Sequence, residues 1–290
     1  MADRMPRAIA QVPEELTRDR LKRLGEGIGK VVYASEHWVV RRPRSPREIV
    51  ALIVLWKVLR KREHALPFGW GRYLLSKPSS ALRFLRTLTE AAIAVVPKSV
   101  WYTKHVSEVF RTYRSRDRRG EKLARAHLED TGLVPETITF PPATVLVGGW
   151  PGWLVVDRAT ERVEDTLDRR INALAGAGEF ELVELWLNRF LDTRQAGWQL
   201  GLFSVDAHLK NFGIIGDRIV LLDTGGLTNR WGDISARLSK DEQIAEPHAQ
   251  LGLDRVLAGQ PDLIRRFNER WRSVVNRDSV IGQWPQRPAE

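Results

Sequence analysis

One stretch in the second half of the chain carries oxygen-bearing side chains at spacings that could do chemistry. The segment VDAHLKNFGIIGDRIVLLDTGG, residues 205–226, places Asp206, Asn211 and Asp223 around short apolar runs. Carboxylate and amide oxygens suit a hard divalent ion such as Mg²⁺, which takes one or two carboxylates and completes its shell with phosphate and water. The alternative is a polar hairpin mouth in which the two aspartates cap turns.

The apolar runs of this stretch predict a β-hairpin. Gly216 and Asp217 form a two-residue turn with glycine first, a composition typical of tight hairpins. With that loop Asn211 faces Leu222, one position before Asp223. The ladder therefore brings the amide and the second carboxylate within roughly 5–8 Å of each other.

Composition limits the kind of protein that holds this hairpin. The 290 residues, 43% of them hydrophobic, are enough to bury a substantial core. The longest apolar run, Ile49–Trp56, is far short of the roughly 20 residues of a membrane span, and the N-terminus lacks the apolar core of a signal peptide. There is no cysteine, so disulfides and thiolate metal sites are excluded. We expect a cytoplasmic protein without a transmembrane segment.

The net charge of +10 indicates an anionic partner. Basic residues concentrate at 41–47 and again at 111–127. Such surfaces attract the phosphates of nucleotides, nucleic acids or lipids, although a solvated arginine-rich face is the simpler alternative.

Patterning along the chain predicts an α+β protein in two parts. Ser45 and Glu48 form a capping box for a helix. The other predicted elements are strands 30–33 and 38–42, a hairpin of 144–147 and 153–156, a long helix near 179–200 and a C-terminal helix near 262–275. We predict a β-rich domain 1–158, with a basic helical insertion at about 60–140, and a mainly helical domain 159–290.

The D-x-x-x-x-N spacing of Asp206 and Asn211, followed by Asp223-Thr224-Gly225, resembles the protein-kinase-like superfamily. His208, two residues after the first aspartate, is similar to the small-molecule phosphotransferases. The resemblance is closest to compact bacterial members, namely relatives of aminoglycoside and choline phosphotransferases, YrbL-type proteins and HipA-type kinases. It spans roughly residues 20–226.

The resemblance implies a two-lobed kinase-like fold, with a β-rich N-lobe, a compact helical C-lobe and MgATP between them. It implies catalytic roles for Asp206, His208 and Lys210, with Asp206 accepting or orienting the hydroxyl proton. Asn211 and Asp223 would hold the metal.

LGEGIGKVVY, residues 24–33, is similar to the glycine-rich loop that covers ATP phosphates in kinases. Gly25 and Gly27 match that pattern, whereas Lys30 stands where the third glycine is expected and Gly29 comes one place early. A strand follows, as in kinases, whereas a dinucleotide-binding loop would open a helix.

The resemblance assigns the phosphate-holding lysine position to Arg41, in the strand WVVR. Its acidic partner would be Glu48 or Glu90. An arginine in place of lysine changes reach and geometry. Further along, Val156 would be the gatekeeper residue, and the backbone from Asp157 to Ala159 would meet the adenine edge.

We therefore expect an ATP- and Mg²⁺-dependent phosphotransferase, an atypical kinase acting on a hydroxyl of a small molecule or an unusual protein substrate. The alternative is a pseudokinase, a regulatory binding module that is peripheral at the membrane or associated with an anionic surface. A third reading is a basic adaptor for membranes or nucleic acids. The segment 104–125 mixes apolar residues and arginines, so it is a candidate contact for anionic lipid or another polyanion, although a satellite helix packed on the small lobe is the simpler alternative.

Overall fold

The computed structural model describes residues 11–26, 29–45, 48–49, 104–149 and 151–285. The chain divides into two compact units. Unit 1 comprises Met1–Arg114 and Thr137–Arg162, and unit 2 comprises Ser115–Glu136 and Val163–Glu290. The sequence-based division after residue 158 falls inside a strand, four residues before the change of unit. Within the predicted basic insertion, Ser115–Glu136 belongs to unit 2.

Unit 1 is built on a five-stranded antiparallel sheet, preceded by the short helix α1 (Glu14–Arg18). Its strands are β1 (Lys22–Glu26), β2 (Lys30–Ala34), β3 (Trp38–Pro43), β4 (Thr137–Leu146) and β5 (Trp153–Glu161). The strand order is β1-β2-β3-β5-β4. The predicted strands 30–33 and 38–42 and the predicted 144–156 hairpin are confirmed.

Alternation of side chains gives this sheet its core. Val31, Tyr33 and Val40 are buried on one face because residues two apart along a strand point the same way. Val145 and Leu154, paired across β4 and β5, are buried with them. These residues form the hydrophobic core of unit 1 on one face of the sheet.

Unit 2 is mainly helical. Its helices are the part of α2 (Lys104–His127) from Ser115 onward, α3 (Leu167–Gly176), α4 (Phe180–Gln199), α5 (Trp231–Asp241), α6 (Pro247–Gln250), α7 (Pro261–Val274) and α8 (Arg277–Gln283). The long helices α4 and α7 lie where the sequence predicts them. Within the described ranges, no helix has the length and apolar character needed to cross a lipid bilayer.

Two small sheets in unit 2 hold the polar stretch of residues 205–226. One consists of β6 (Asp165–Thr166), β8 (Phe212–Ile215) and β9 (Arg218–Leu221), and the other pairs β7 (Phe203–Ser204) with β10 (Leu227–Thr228). The register of β8 and β9 is the predicted one, with Ile215 opposite Arg218. Gly216 has φ of +61°, a value that explains glycine at the turn.

A buried arginine lies in the core of unit 2. Arg194 of α4 is 6% exposed, and its guanidinium carbon lies 4.8 Å from the ring centre of Trp271 and 5.5 Å from that of Trp198. Phe190 and Phe203 complete a surround of four rings at no more than 6.0 Å. Burial lowers the pKa of Arg194 to about 10. The cation is held by aromatic faces that attract it electrostatically.

Candidate functional site

The residues Asp206 and Asn211 are tied together by the backbone of unit 2. Asn211, only 9% exposed, donates its side-chain Nδ2 to the Asp206 carbonyl oxygen at 2.9 Å. Its own carbonyl accepts from the Leu222 amide at 2.8 Å, so Asn211 faces Leu222 as the hairpin register predicts. The side-chain nitrogen Nδ2 of Asn211 thus bonds within the loop. Its side-chain oxygen Oδ1 is the atom of this amide that can bind a metal ion.

Strand pairing places the backbone at Gly226 close to Asp206. The Val205 amide donates to the Gly226 carbonyl at 3.0 Å, next to the β7–β10 pair. A Cβ placed on Gly226 would lie 3.1 Å from Asp206 Cβ. A side chain at this position would be in tight contact with Asp206, so glycine suits the close passage of the turn that follows Asp223.

The second aspartate begins a short 3₁₀ turn. Asp223 Oδ1 accepts from the Gly225 amide at 3.1 Å, so one carboxylate oxygen fixes the turn. This is the turn-cap role that the alternative reading expected. A carboxylate has two oxygens that each accept more than one bond, so this turn-cap role does not by itself exclude a metal role for Asp223.

His208 and Lys210 lie in the loop between Asp206 and Asn211. His208 Nε2 lies 3.3 Å from Asp206 Oδ1, and both side chains are close to half exposed. This contact limits the orientations of the Asp206 carboxylate. Lys210 is exposed, in the 3₁₀ turn Leu209–Asn211.

Two residues of α2 that sequence reasoning did not single out border the same turn. Asp117 Oδ1 lies 2.9 Å from the position that a Cβ of Gly225 would occupy, while Asp223 Oδ1 lies 3.3 Å from it. A Cβ on Gly120 would lie 1.8 Å from the Thr224 carbonyl oxygen. The helix therefore packs directly on the Asp223-Thr224-Gly225 turn, and a glycine inside a long helix was the available signal.

The donor set fits a magnesium ion with few protein ligands. Asn211 and Asp223 offer one amide and one carboxylate oxygen, which are the hard ligands that Mg²⁺ prefers. Among the residues that the structure describes, no three His, Cys, Asp or Glu side chains are placed to hold a metal. An all-carboxylate cage is therefore not formed by the described part of the chain, whereas a site completed by phosphate oxygens needs only these two.

The glycine-rich segment of unit 1 forms a hairpin. Gly25 lies in β1 opposite Val32, next to a register shift, and the Gly29 carbonyl accepts from the Arg44 amide at 2.8 Å. Lys30 opens β2. Gly27 lies outside the described residues, as does Glu90.

The ion pair predicted for Arg41 is formed by its neighbour. Arg42 donates Nη2 to Glu48 Oε1 at 2.8 Å and Nη1 to Glu48 Oε2 at 3.1 Å. Adjacent residues of a strand point to opposite faces, and Arg42 shares the core face with Val40 while Arg41 does not. Of the two acidic partners considered for Arg41, Glu48 therefore pairs with Arg42 instead, and Glu90 lies outside the described residues.

Glu48 is fixed by three groups. Its Oε2 also accepts from the Ser45 amide at 2.6 Å, and its own amide donates to Ser45 Oγ, so the predicted capping box is confirmed. Although burial alone would raise the pKa of Glu48, the bonds from Arg42 and Ser45 hold it below its ordinary value. Burial opposes the charge of Arg42 as well, but the Glu48 carboxylate raises the pKa of Arg42 overall.

The predicted adenine-binding hinge is part of a strand. Val156 is half-buried opposite Ala143, Ala159 is buried, and the exposed Asp157 contacts Arg158 at 3.3 Å. β5 continues to Glu161, and its backbone from Arg158 onward pairs with β4. The segment 157–159 thus belongs to a strand with a register irregularity beside Asp157, and its contact with adenine stays a prediction.

The basic segment 104–125 falls in α2. From residue 114 onward its arginines and lysine at 114, 116, 118, 122 and 125 are exposed, whereas Gly120, Ala124 and, just beyond the helix, Leu128 are buried in unit 2. From residue 114 onward the helix thus has an exposed basic face and a face packed within unit 2. Its contact with lipid or another polyanion remains a prediction.

No family model matches the chain, and no curated protein matches it significantly. The functional conclusion therefore depends on the residues of this chain.

Proposed function

We propose that this chain is an atypical kinase, an ATP- and Mg²⁺-dependent phosphotransferase that acts on a hydroxyl group. The observation that carries the proposal is the joined set Asp206, Asn211 and Asp223. A kinase needs an aspartate for the substrate hydroxyl and, five residues later, an asparagine for metal. A kinase also needs a second aspartate from a later turn. The hydrogen bonds from Asn211 to Asp206 and from Val205 to Gly226 bring the backbone at these three residues to one end of the hairpin.

Each side chain has a role that its surroundings support. Asp206 is half exposed, so it can reach a substrate hydroxyl and accept or orient its proton. His208 restrains that carboxylate from one side. Asn211 and Asp223 would hold Mg²⁺, which supplies charge stabilisation for the transferred phosphoryl group. The protein supplies position and electrostatics, as phosphoryl transfer requires.

Unit 1 supports the same proposal independently. Kinases pair a basic residue of the third strand with a glutamate of the next helix, and here Arg42 on β3 pairs with Glu48 at the start of a capped helix. The hairpin of β1 and β2 carries Gly25 and Gly29, and the lack of side chains at these positions suits a close approach of phosphate oxygens to the backbone.

A pseudokinase is the second candidate, and the Arg42–Glu48 pair is the observation that favours it. The guanidinium is held in a fixed two-bond contact with both carboxylate oxygens, so it is less able to turn toward a phosphate than the mobile ammonium of a lysine. Lys30 in place of the third glycine points the same way. Such a protein would bind nucleotide through Asn211 and Asp223 without transferring phosphate.

The test measures nucleotide binding and phosphate transfer side by side in variants of the three residues. Phosphate release and transfer from MgATP to a panel of hydroxyl compounds should fall at least about 100-fold in Asp206→Asn, with nucleotide binding retained. Asp223→Asn should lose Mg²⁺-dependent binding itself. Asp217→Asn, a carboxylate at the far end of the same hairpin, is the matched control and should behave as wild type.

The outcomes separate the two candidates. Binding that depends on Asp223, without turnover on any compound, favours the pseudokinase. Binding and turnover that both survive Asp223→Asn would contradict a metal role for this turn and with it the proposal.

A further inference from the structure

One face of the unit 1 sheet exposes large apolar side chains that a solvated surface does not need. Trp153 is 57% exposed, Val155 61%, Leu146 46% and Leu24 48%. Apolar groups scattered singly over a surface are ordinary, whereas grouped ones mark an interaction site.

Strand register shows that these residues are neighbours. Leu146 lies directly opposite Trp153 on β4 and β5, and Val155 is two residues along β5 on the same face. Their partners on the other face, Val145 and Leu154, are buried in the core. The exposed group is therefore the outward half of a hairpin whose inward half is fully packed.

β1 is held against the same hairpin. The Leu21 amide donates to the Leu146 carbonyl at 2.8 Å, and the Gly148 amide donates to the Leu21 carbonyl at 2.9 Å. Because Leu21 is buried, the exposed Lys22 and Leu24 belong to the outer side with Leu146. We call the group Leu24, Leu146, Trp153 and Val155 the outer apolar patch.

Cations border the outer apolar patch. Arg20 and Lys22 are exposed on either side of Leu21, and neither makes an ion pair within the described part of the chain. Two nearby acids whose side chains are described form ion pairs, Asp19 with Arg18 and Asp157 with Arg158. The border is thus positive, in a chain whose net charge is +10.

We infer that the outer apolar patch docks unit 1 onto an anionic lipid surface. Tryptophan suits the membrane interface because its ring is apolar and its N–H is polar. Lysine and arginine beside it keep their charges at the phosphates while their stems lie along apolar groups. This contact is independent of the proposed phosphotransfer and lies outside the basic segment 104–125.

The experiment compares co-sedimentation of the full chain with vesicles of phosphatidylcholine alone and of phosphatidylcholine mixed with phosphatidylserine. Wild type should bind the anionic vesicles preferentially. Trp153→Ser/Val155→Ser should bind about tenfold more weakly, because it removes the inserted apolar groups. Leu182→Ser/Leu185→Ser, a matched change of two leucines that are each 42% exposed on α4, should leave binding unchanged.

The charge term has its own matched pair of variants. Arg20→Gln/Lys22→Gln should weaken binding and reduce its dependence on salt, whereas Arg118→Gln/Lys122→Gln on α2 should do so far less. If the α2 variant abolishes binding and the patch variants do not, the inference is overturned. It is also overturned if the chain self-associates through Trp153, or if it binds heparin but not the anionic vesicles.

Discussion

The two units stabilise a buried guanidinium in opposite ways. In unit 1, Arg42 meets the Glu48 carboxylate through two hydrogen bonds, and this contact raises the pKa of Arg42. In unit 2, Arg194 lies among four aromatic rings, and burial lowers its pKa to about 10. Removal of Arg42 or Glu48 leaves the other residue's charge unpaired. Replacement of Arg194 by an apolar residue instead removes a buried charge from among the aromatic rings. The ion pair of unit 1 suits a functional site, and the aromatic surround of unit 2 suits a hydrophobic core.

The largest effect should come from breaking the unit 1 pair on one side. Arg42→Met leaves the Glu48 carboxylate buried without its cation, so we expect a loss of about 3–5 kcal/mol in the free energy of unfolding. Arg42→Met/Glu48→Leu should recover most of that loss. Urea unfolding followed by circular dichroism measures both, with Glu14→Gln in an exposed pair as the control. A single variant as stable as wild type would contradict the pairing.

The next effect concerns the helix that packs on the Asp223 turn. Gly120→Ala places a methyl group against the Thr224 carbonyl, so we expect a loss of about 1–3 kcal/mol from overpacking. Gly282→Ala, on a helix with open space around it, should instead gain up to about 1 kcal/mol. Thermal unfolding of both variants distinguishes the two sites. Equal stabilisation by the two alanines would mean that α2 does not lie on the turn.

A pH series sharpens the account of Glu48. Its pKa is lowered in the folded state, so the charged form contributes stability that is full above about pH 4.5 and is lost as the pH falls through the folded pKa. Wild type should exceed Glu48→Gln by about 1–2 kcal/mol at neutral pH. Unfolding free energies measured from pH 7 to 3 should converge. A difference that stays constant over this range would exclude a charged Glu48.

The smallest change is expected at the aromatic surround. Arg194→Met should stay within about 1 kcal/mol of wild type, because removing the buried charge offsets the lost attraction to the rings. Since folding disfavours the protonated guanidinium, wild type should gain on the variant as the pH rises above 10. Chemical unfolding at pH 7 and pH 10.5 measures the difference. A loss as large as that of Arg42→Met would erase the contrast between the units.

The sequence predicts local features of this protein best. A glycine-first two-residue loop fixes the hairpin register, so the position of Asn211 opposite Leu222 followed from the turn alone. The capping box of Ser45 and Glu48 is equally local. The α+β class also followed from the patterning, whereas the kinase-like arrangement of the two units stays a proposal.

Features that depend on tertiary structure were harder to predict. Arg41 and Arg42 are consecutive, and a shift of one residue exchanges the faces of a strand, so the type of residue could not identify the partner of Glu48. The polar pair Asp157 and Arg158 suggested a turn, yet polar side chains are tolerated on the outer side of a strand. Asp117 approaches the Asp223 turn from far along the chain, so only the glycine at 120 hinted at it.

The most direct test of the central claim is the melting temperature of wild type and Asp223→Ala, each with MgATP, with ATP and a chelator, and without nucleotide. A ligand at 100 times its dissociation constant adds about 2.7 kcal/mol, which a thermal shift detects readily. The account predicts a rise in wild type that requires Mg²⁺ and vanishes in Asp223→Ala. A rise that is the same in both proteins, or absent from both, would contradict a metal–nucleotide site at this turn.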